Sequence, residues 1–131
     1  MLERISATTV RDPRGSLSFL EGGRDVPFDI RRVYYLHDVP YGAERGGHAH
    51  LRLQQAIIAL SGSFVIRTHD GVSWSEDRLS DPTEALLIPP MTWRELVGFT
   101  LGAVSVVLAS ELYDESDYIR DFEEFIASVA R

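Results

Sequence analysis

Gly42-Ala43-Glu44-Arg45-Gly46-Gly47-His48-Ala49-His50, followed by Gln54-Gln55 and Gly62, is the stretch that decides the fold of this chain. On a strand, residues two apart share a face, so His48 and His50 project together. Arg52 and Gln54 join them if the strand continues. Gly46-Gly47 permits close approach of backbone or ligand just before the histidines. Short β-rich runs bounded by turn residues lie on both sides. Leu17–Leu20 follows the turn Asp12-Pro13-Arg14-Gly15, and Ile30–His37 is a strong strand. Gln54–Leu60, Ser63–Thr68, Val72–Glu76, Ala85–Ile88 and Val104–Ala109 come later, with His69-Asp70-Gly71 as a hairpin turn. Many short strands separated by Gly and Pro predict a barrel or jelly roll. The C-terminus differs: Tyr118, Ile119, Phe122, Phe125, Ile126 and Val129 form a helical stripe. A helix over about 116–130 is expected, capped by Asp114 or Ser116.

The spacing from Gly42 through His48, His50 and Gln55 to Gly62 resembles the first motif of the cupins, with Gln55 where the acidic metal ligand usually stands. Pro89-Pro90-Met91-Thr92-Trp93-Arg94 has the spacing of the second cupin motif, with Arg94 in place of its metal-binding histidine. Metal sites of this kind use three or four N/O donors. Gln55 is a weak neutral donor, and a guanidinium cannot ligate. No metal and no cofactor is expected; the pattern points instead to histidine acid/base chemistry. Arg94 is expected to face the pocket. A buried guanidinium needs an anionic partner, which is either an acid such as Glu95 or Glu111, or a substrate oxyanion or phosphate.

At 131 residues, with 44% apolar and 25% charged residues, the chain has the composition of one globular domain over 1–131. The net charge of −7 argues against nucleic acid as a partner. Every basic residue is Arg, so local clusters suited to phosphate or carboxylate remain available. The chain has no cysteine, which excludes disulfides and thiol catalysis. No stretch is apolar enough to cross a bilayer and no signal peptide is visible, so a cytoplasmic location away from membranes is expected. Tyr34 and Tyr35 point to opposite faces of one strand, and whichever faces inward is a candidate acid. Trp93, beside the Pro-Pro turn, is a candidate to line the pocket mouth. His37 and His69 are expected at the surface. The acids Glu76, Asp77, Asp81 and Glu84 are expected in a solvated loop.

Beyond these motifs, the chain resembles the nucleotide-sugar 3,4-ketoisomerases, the WxcM-like proteins, along nearly its whole length. The resemblance is carried by Arg14-Gly15-Ser16-Leu17, Pro27-Phe28, Arg32-Val33-Tyr34-Tyr35, Arg45-Gly46, His48-Ala49-His50, Ser61-Gly62-Ser63, Trp93-Arg94-Glu95 and Val107-Leu108-Ala109-Ser110. The run Tyr113-Asp114-Glu115-Ser116-Asp117-Tyr118-Ile119-Arg120 is its most specific part, although it has no obvious chemistry of its own. The resemblance implies an all-β, cupin-type (RmlC-like) jelly-roll barrel with one C-terminal α-helix. It implies a homodimer with N-terminal strand exchange. It also implies isomerisation of a dTDP-linked 4-keto-6-deoxyhexose in deoxysugar biosynthesis. His48 and His50 would transfer protons, with Tyr35, Arg94 and Arg14 in the same pocket. Arg45, Arg52, Gln54 and Trp93 are the candidate substrate-binding residues. Arg94 and Arg14 occur together here, so the C4 configuration of the product stays open.

The chemistry suits these residues. A proton leaves C3 and one returns to C4 through an enediol, and a base with pKa near the working pH is favoured, as for His. Three rivals stand beside this expectation: a 3,5-epimerase on the same sugar, a non-catalytic sugar-nucleotide-binding module, and a metal-dependent oxygenase.

Overall fold

The computed structural model describes residues 2–130. Twelve strands run in the order β1 (Arg4–Ser6), β2 (Thr8–Asp12), β3 (Gly15–Phe19), β4 (Arg32–Leu36), β5 (Arg45–His50), β6 (Gln55–Ser61), β7 (Phe64–His69), β8 (Trp74–Leu79), β9 (Glu84–Ile88), β10 (Trp93–Val97), β11 (Val104–Ala109) and β12 (Tyr118–Ile119). Among the described residues one α-helix, α1 (Phe122–Val129), follows the last strand. The strands form two five-stranded sheets, ordered β1-β9-β6-β11-β4 and β12-β5-β10-β7-β8, plus the separate hairpin β2-β3. Every ladder between these strands is antiparallel, as a jelly roll requires.

The two sheets face each other across an apolar core built by strand alternation. Ile57 and Ala59 of β6, Phe64 and Ile66 of β7, Leu86 and Ile88 of β9 and Leu96 of β10 are almost wholly buried there. Phe64 and Phe99 stack with ring centroids 5.0 Å apart. On the outer face of the first sheet, Val26 and Phe28 of the loop before β4 cover Ala56 and Ala85. On the outer face of the second sheet, α1 lays Phe125 against Ala49, Trp93 and Ile119. Full burial of Phe125 contributes roughly 1.5–3 kcal/mol.

The expected helix over 116–130 is shorter than its apolar stripe. Glu115–Asp117 form a single 3-10 turn capped by Asp114, and Tyr118–Ile119 are a strand paired with His50 and Ala49. The helix starts only where Asp121 accepts hydrogen bonds from the Glu123 and Glu124 amides. Tyr118 and Ile119 therefore continued a helical period by coincidence, and pairing with β5 won. Of the acids expected in a loop, Asp81 lies in one, between β8 and β9, but Glu76 and Asp77 are on β8, an edge strand, and Glu84 is on β9. Charge on an edge discourages pairing with another chain. His69 is buried, not at the surface. It sits at the end of β7 with its ring edge-on to Trp74, Phe122 and Phe125.

Candidate active site

A cavity of about 380 Å³ opens between the two sheets, lined by alternate residues of their facing strands. β4 supplies Arg32, Tyr34 and Leu36, β5 supplies Arg45, Gly46 and His48, and β10 supplies Arg94 and Leu96. Gln55 and Ile57 of β6, Val107 of β11 and Tyr118 of β12 complete the walls, with Glu44 and Arg120 at the rim.

His48 and His50 share a face, as their spacing predicts, with ring centroids 4.8 Å apart and nearly perpendicular rings. His48 lines the cavity; His50 lies behind it, 1% exposed. Two glycines and an irregular register make this possible. Arg94 pairs with His48, but the next residue, Glu95, pairs with Gly46, so β5 carries a bulge opposite β10. Gly46 has φ +84°, and a Cβ there would lie 3.0 Å from the Arg94 carbonyl oxygen. The strand ends at His50, so Arg52 and Gln54 do not continue its inward face.

Burial, with the positive field of Arg94 and then of His50, pushes the His48 imidazole down to about 3. His50 falls to about 3 as well, from burial and then the charges of Arg94 and Arg32. Both rings are thus neutral near pH 7, the form that accepts a proton.

Arg94 is the largest fully buried side chain. Its Nε and Nη2 donate to the Thr92 carbonyl at 3.2 and 3.0 Å, and its Nη1 donates to Gln55 Oε1. The acids weighed as its partners are engaged elsewhere. Glu95 accepts from Trp93 Nε1 and pairs with Arg67, while Glu111 pairs with Arg31. Among the described residues Arg94 has no carboxylate within ion-pair distance, and burial lowers its pKa to about 10. A buried cation left unpaired inside a cavity is costly unless something anionic arrives there.

The Arg94 contact sets the polarity of the next one. A guanidinium only donates, so Gln55 presents its oxygen to Arg94 and its NH2 to Tyr34. Gln55 Nε2 donates to Tyr34 Oη at 2.7 Å, which leaves the Tyr34 hydroxyl hydrogen free to point at a ligand. Burial raises the Tyr34 pKa, with Arg94 opposing in part.

Several candidates lie elsewhere. Tyr34, not Tyr35, is the inward tyrosine of β4; Tyr35 is 62% exposed on the opposite face. Arg14 sits at the exposed turn of the β2-β3 hairpin, paired with Asp12 at 2.7 Å, outside this cavity. Arg52 pairs with Asp114 at 2.9 Å on the surface. Gln54 is tied by its amide to Ser110 and borders a different groove. Trp93 is buried on the outer face against Phe122 and Phe125, because β10 alternation turns it away from Arg94. Arg45 does line the cavity.

Other residues join the site without a signal in the first motif. Arg32 lies over the Tyr34 ring at 5.3 Å. The Tyr118 ring packs against His50 at 4.3 Å and His48 at 5.0 Å. Arg120 stacks over Tyr118 at 4.2 Å and is held by Glu115 through hydrogen bonds of 2.8 and 2.9 Å. The hints were the Arg32–Tyr35 stretch and the specificity of the Tyr113–Arg120 run; strand pairing of β12 with β5 is what brings the second run to the histidines. Among the described residues no three His, Cys, Asp or Glu side chains converge as metal ligands, and Gln55 and Arg94 occupy the two remaining positions of the metal motif.

Residues 2–130 match the profile of the family "FdtA: WxcM-like, C-terminal". The chain is 39% identical over 127 residues to a TDP-4-oxo-6-deoxy-alpha-D-glucose-3,4-oxoisomerase of Aneurinibacillus thermoaerophilus, covering 97% of this chain and 91% of that one. It is similar to the sugar 3,4-ketoisomerase QdtA of Thermoanaerobacterium thermosaccharolyticum, solved in complex with TDP, at 42% identity and TM-score 0.96, covering 98% of this chain and 94% of that one. A histidine-to-asparagine mutant of QdtA was solved with TDP-4-keto-6-deoxyglucose, at 41% identity and TM-score 0.95, covering 98% and 93% of the two chains. The fold alone extends to the Mycobacterium tuberculosis rmlC epimerase, at 18% identity and TM-score 0.74, covering 88% of this chain and 66% of that one.

Proposed function

Because the chain belongs to the FdtA, WxcM-like family, we propose that it is a sugar 3,4-ketoisomerase that converts a dTDP-linked 4-keto-6-deoxyhexose to its 3-keto isomer without a metal. It is an isomerase of deoxysugar biosynthesis, and it acts in the cytoplasm. No helix among the described residues is long and apolar enough to cross a membrane. The observation that carries the mechanism is Arg94, a buried guanidinium without a carboxylate, set on the strand position opposite His48.

In the reaction the C3–H bond breaks and its electron pair forms the C3–C4 double bond of an enediolate, while charge moves to the C4 oxygen. The O3 proton then passes to the C4 oxygen and a proton returns to C4 as the double-bond electron pair moves to it, leaving a C3 ketone and a C4 hydroxyl. His48, neutral and facing the cavity, takes the C3 proton. Arg94 and the free Tyr34 O–H stabilise the developing oxyanion; one such donor is worth about 2.7–4 kcal/mol. Arg45, Arg32 and Arg120 around the cavity suit the diphosphate, which Arg recognises bidentately. The product arises without a redox cofactor, since hydrogen only moves between adjacent carbons.

The active form is a homodimer with N-terminal strand exchange. Support comes from the hairpin β2-β3, whose Val10, Leu17 and Phe19 are exposed apolar side chains. The same hairpin carries Arg14 at its turn, so any contact of Arg14 with a cavity is made across the dimer. His48→Asn is the direct test: turnover falls by at least 100-fold while circular dichroism and melting stay native, whereas normal turnover refutes the role.

A further inference from the structure

Asp117 lies in the 3-10 turn before β12, 3% exposed, and meets the β5 end through several hydrogen bonds. Its Oδ1 accepts from the Arg52 amide at 2.8 Å, with the Arg52 guanidinium 3.7 Å away. Its Oδ2 accepts from the Leu53 amide at 3.3 Å and lies 3.1 Å from His50 Nδ1. Its carbonyl accepts from the Leu51 amide at 2.9 Å. The carboxylate is therefore an acceptor on every side, and it meets a ring nitrogen that must carry hydrogen to bond with it. His50 is itself fixed. Its carbonyl accepts from the Met91 amide at 2.7 Å, and its ring packs on Tyr118 and His48. The opposite ring nitrogen, Nε2, is buried and has no hydrogen-bond partner among the described residues. A buried unpaired acceptor is unfavourable, and its presence beside His48 needs an occupant or a task.

We propose that Asp117 is a positioning residue that holds His50 in the Nδ1–H tautomer and so fixes a bare Nε2 lone pair beside His48, the base of the isomerisation. This rests on the ketoisomerase activity proposed above. It gives chemistry to the Tyr113–Arg120 run: the turn supplies the carboxylate and β12 supplies the Tyr118 ring that covers both imidazoles. A purely structural clasp would tie residues 51–53 to the turn just as well, but it would leave the tautomer free.

The test is long-range proton–nitrogen NMR of the full chain labelled with 15N-histidine at pH 7.5, with the His50 signals identified by their loss in His50→Asn. Wild-type His50 should show a protonated Nδ1 and an unprotonated Nε2; a protonated Nε2, in the neutral or charged ring, overturns the assignment. The variant Asp117→Asn, whose amide can donate to Nδ1, should move His50 to the Nε2–H form. Its kcat should drop about 10²–10⁴-fold with KM unchanged. A folded Asp117→Asn protein with wild-type kcat overturns the proposal. If that variant does not fold, the wild-type spectrum still decides. If the wild type itself does not turn over the keto sugar, the proposed activity fails, and the spectrum separately decides what Asp117 does to His50.

Discussion

Tyr34→Phe, with Tyr35→Phe beside it, separates what the structure says of β4 from what the family resemblance implied. Tyr34 Oη accepts from Gln55 Nε2 at 2.7 Å, and Gln55 is oriented by Arg94, so the phenol proton is left for the substrate. Removing the hydroxyl takes away one donor to the developing oxyanion. That loss amounts to about 2.7–4 kcal/mol in the transition state, or 10²–10³-fold in kcat. It also strands a buried Gln55 N–H, which costs about 1–3 kcal/mol of stability. Arg94 stays in place because Thr92 still accepts two of its hydrogen bonds. Tyr35 is exposed, and its hydroxyl makes no hydrogen bond to the described residues of this chain; Tyr35→Phe should leave stability within about 0.5 kcal/mol. Its turnover should stay within about twofold, the same energy expressed as a rate. The assay is initial-rate proton NMR on TDP-4-keto-6-deoxyglucose, with urea denaturation giving stability separately. Wild-type kcat in Tyr34→Phe, or a large loss confined to Tyr35→Phe, refutes the assignment of the inward tyrosine and the hydrogen-bond polarity behind it.

Three further outcomes follow from the same site. In the unfolded chain both active-site histidines bind protons below about pH 6.5, but in the folded chain only near about 3. The unfolded state therefore binds more protons in that window, so stability falls as pH drops from 6.5, by up to about 1.4 kcal/mol per pH unit for each ring. Urea midpoints at pH 7.5 and 5.5 check this, and the double variant His48→Asn/His50→Asn should flatten the slope. Turnover should be unchanged by EDTA and by added divalent metal, because Arg94 and Gln55 stand at two of the metal-ligand positions; loss with EDTA and recovery with metal contradicts this. Gly46→Ala should destabilise by about 1–3 kcal/mol, since alanine at φ +84° is strained and its Cβ crowds the Arg94 carbonyl. Its kcat should fall as well, because the bulge sets Arg94 against His48.

Much of the fold was legible because β alternation is a local property. The strand at Val104–Ala109 has the bounds its apolar run gave it, and the other expected strands are offset by a few residues at their ends. His48 could be placed from strand alternation and Arg94 from the spacing of the second motif, whereas Arg45, three residues before His48, shares its face only because of the β5 bulge. What could not be read is what depends on which strand lies beside which. Tyr118 and Asp117 reach the histidines only because β12 pairs with β5, a contact across 68 residues of sequence between His50 and Tyr118. The helical period of the C-terminal stripe concealed that strand. Trp93 was misplaced because its neighbour Arg94 took the inward side. The choice between Tyr34 and Tyr35 needed the register of β4 on β11, and Arg14 stands at the exposed turn of the separate β2-β3 hairpin, away from the cavity.

The most direct test of the central claim is proton NMR of TDP-4-keto-6-deoxyglucose incubated with the protein in D2O in the presence of EDTA. The account predicts a 3-keto sugar, with solvent deuterium entering at the carbons that exchange and a C4 coupling that reports the product configuration. An unchanged sugar, exchange at C5 with epimerisation, or turnover that returns only on adding metal would contradict it.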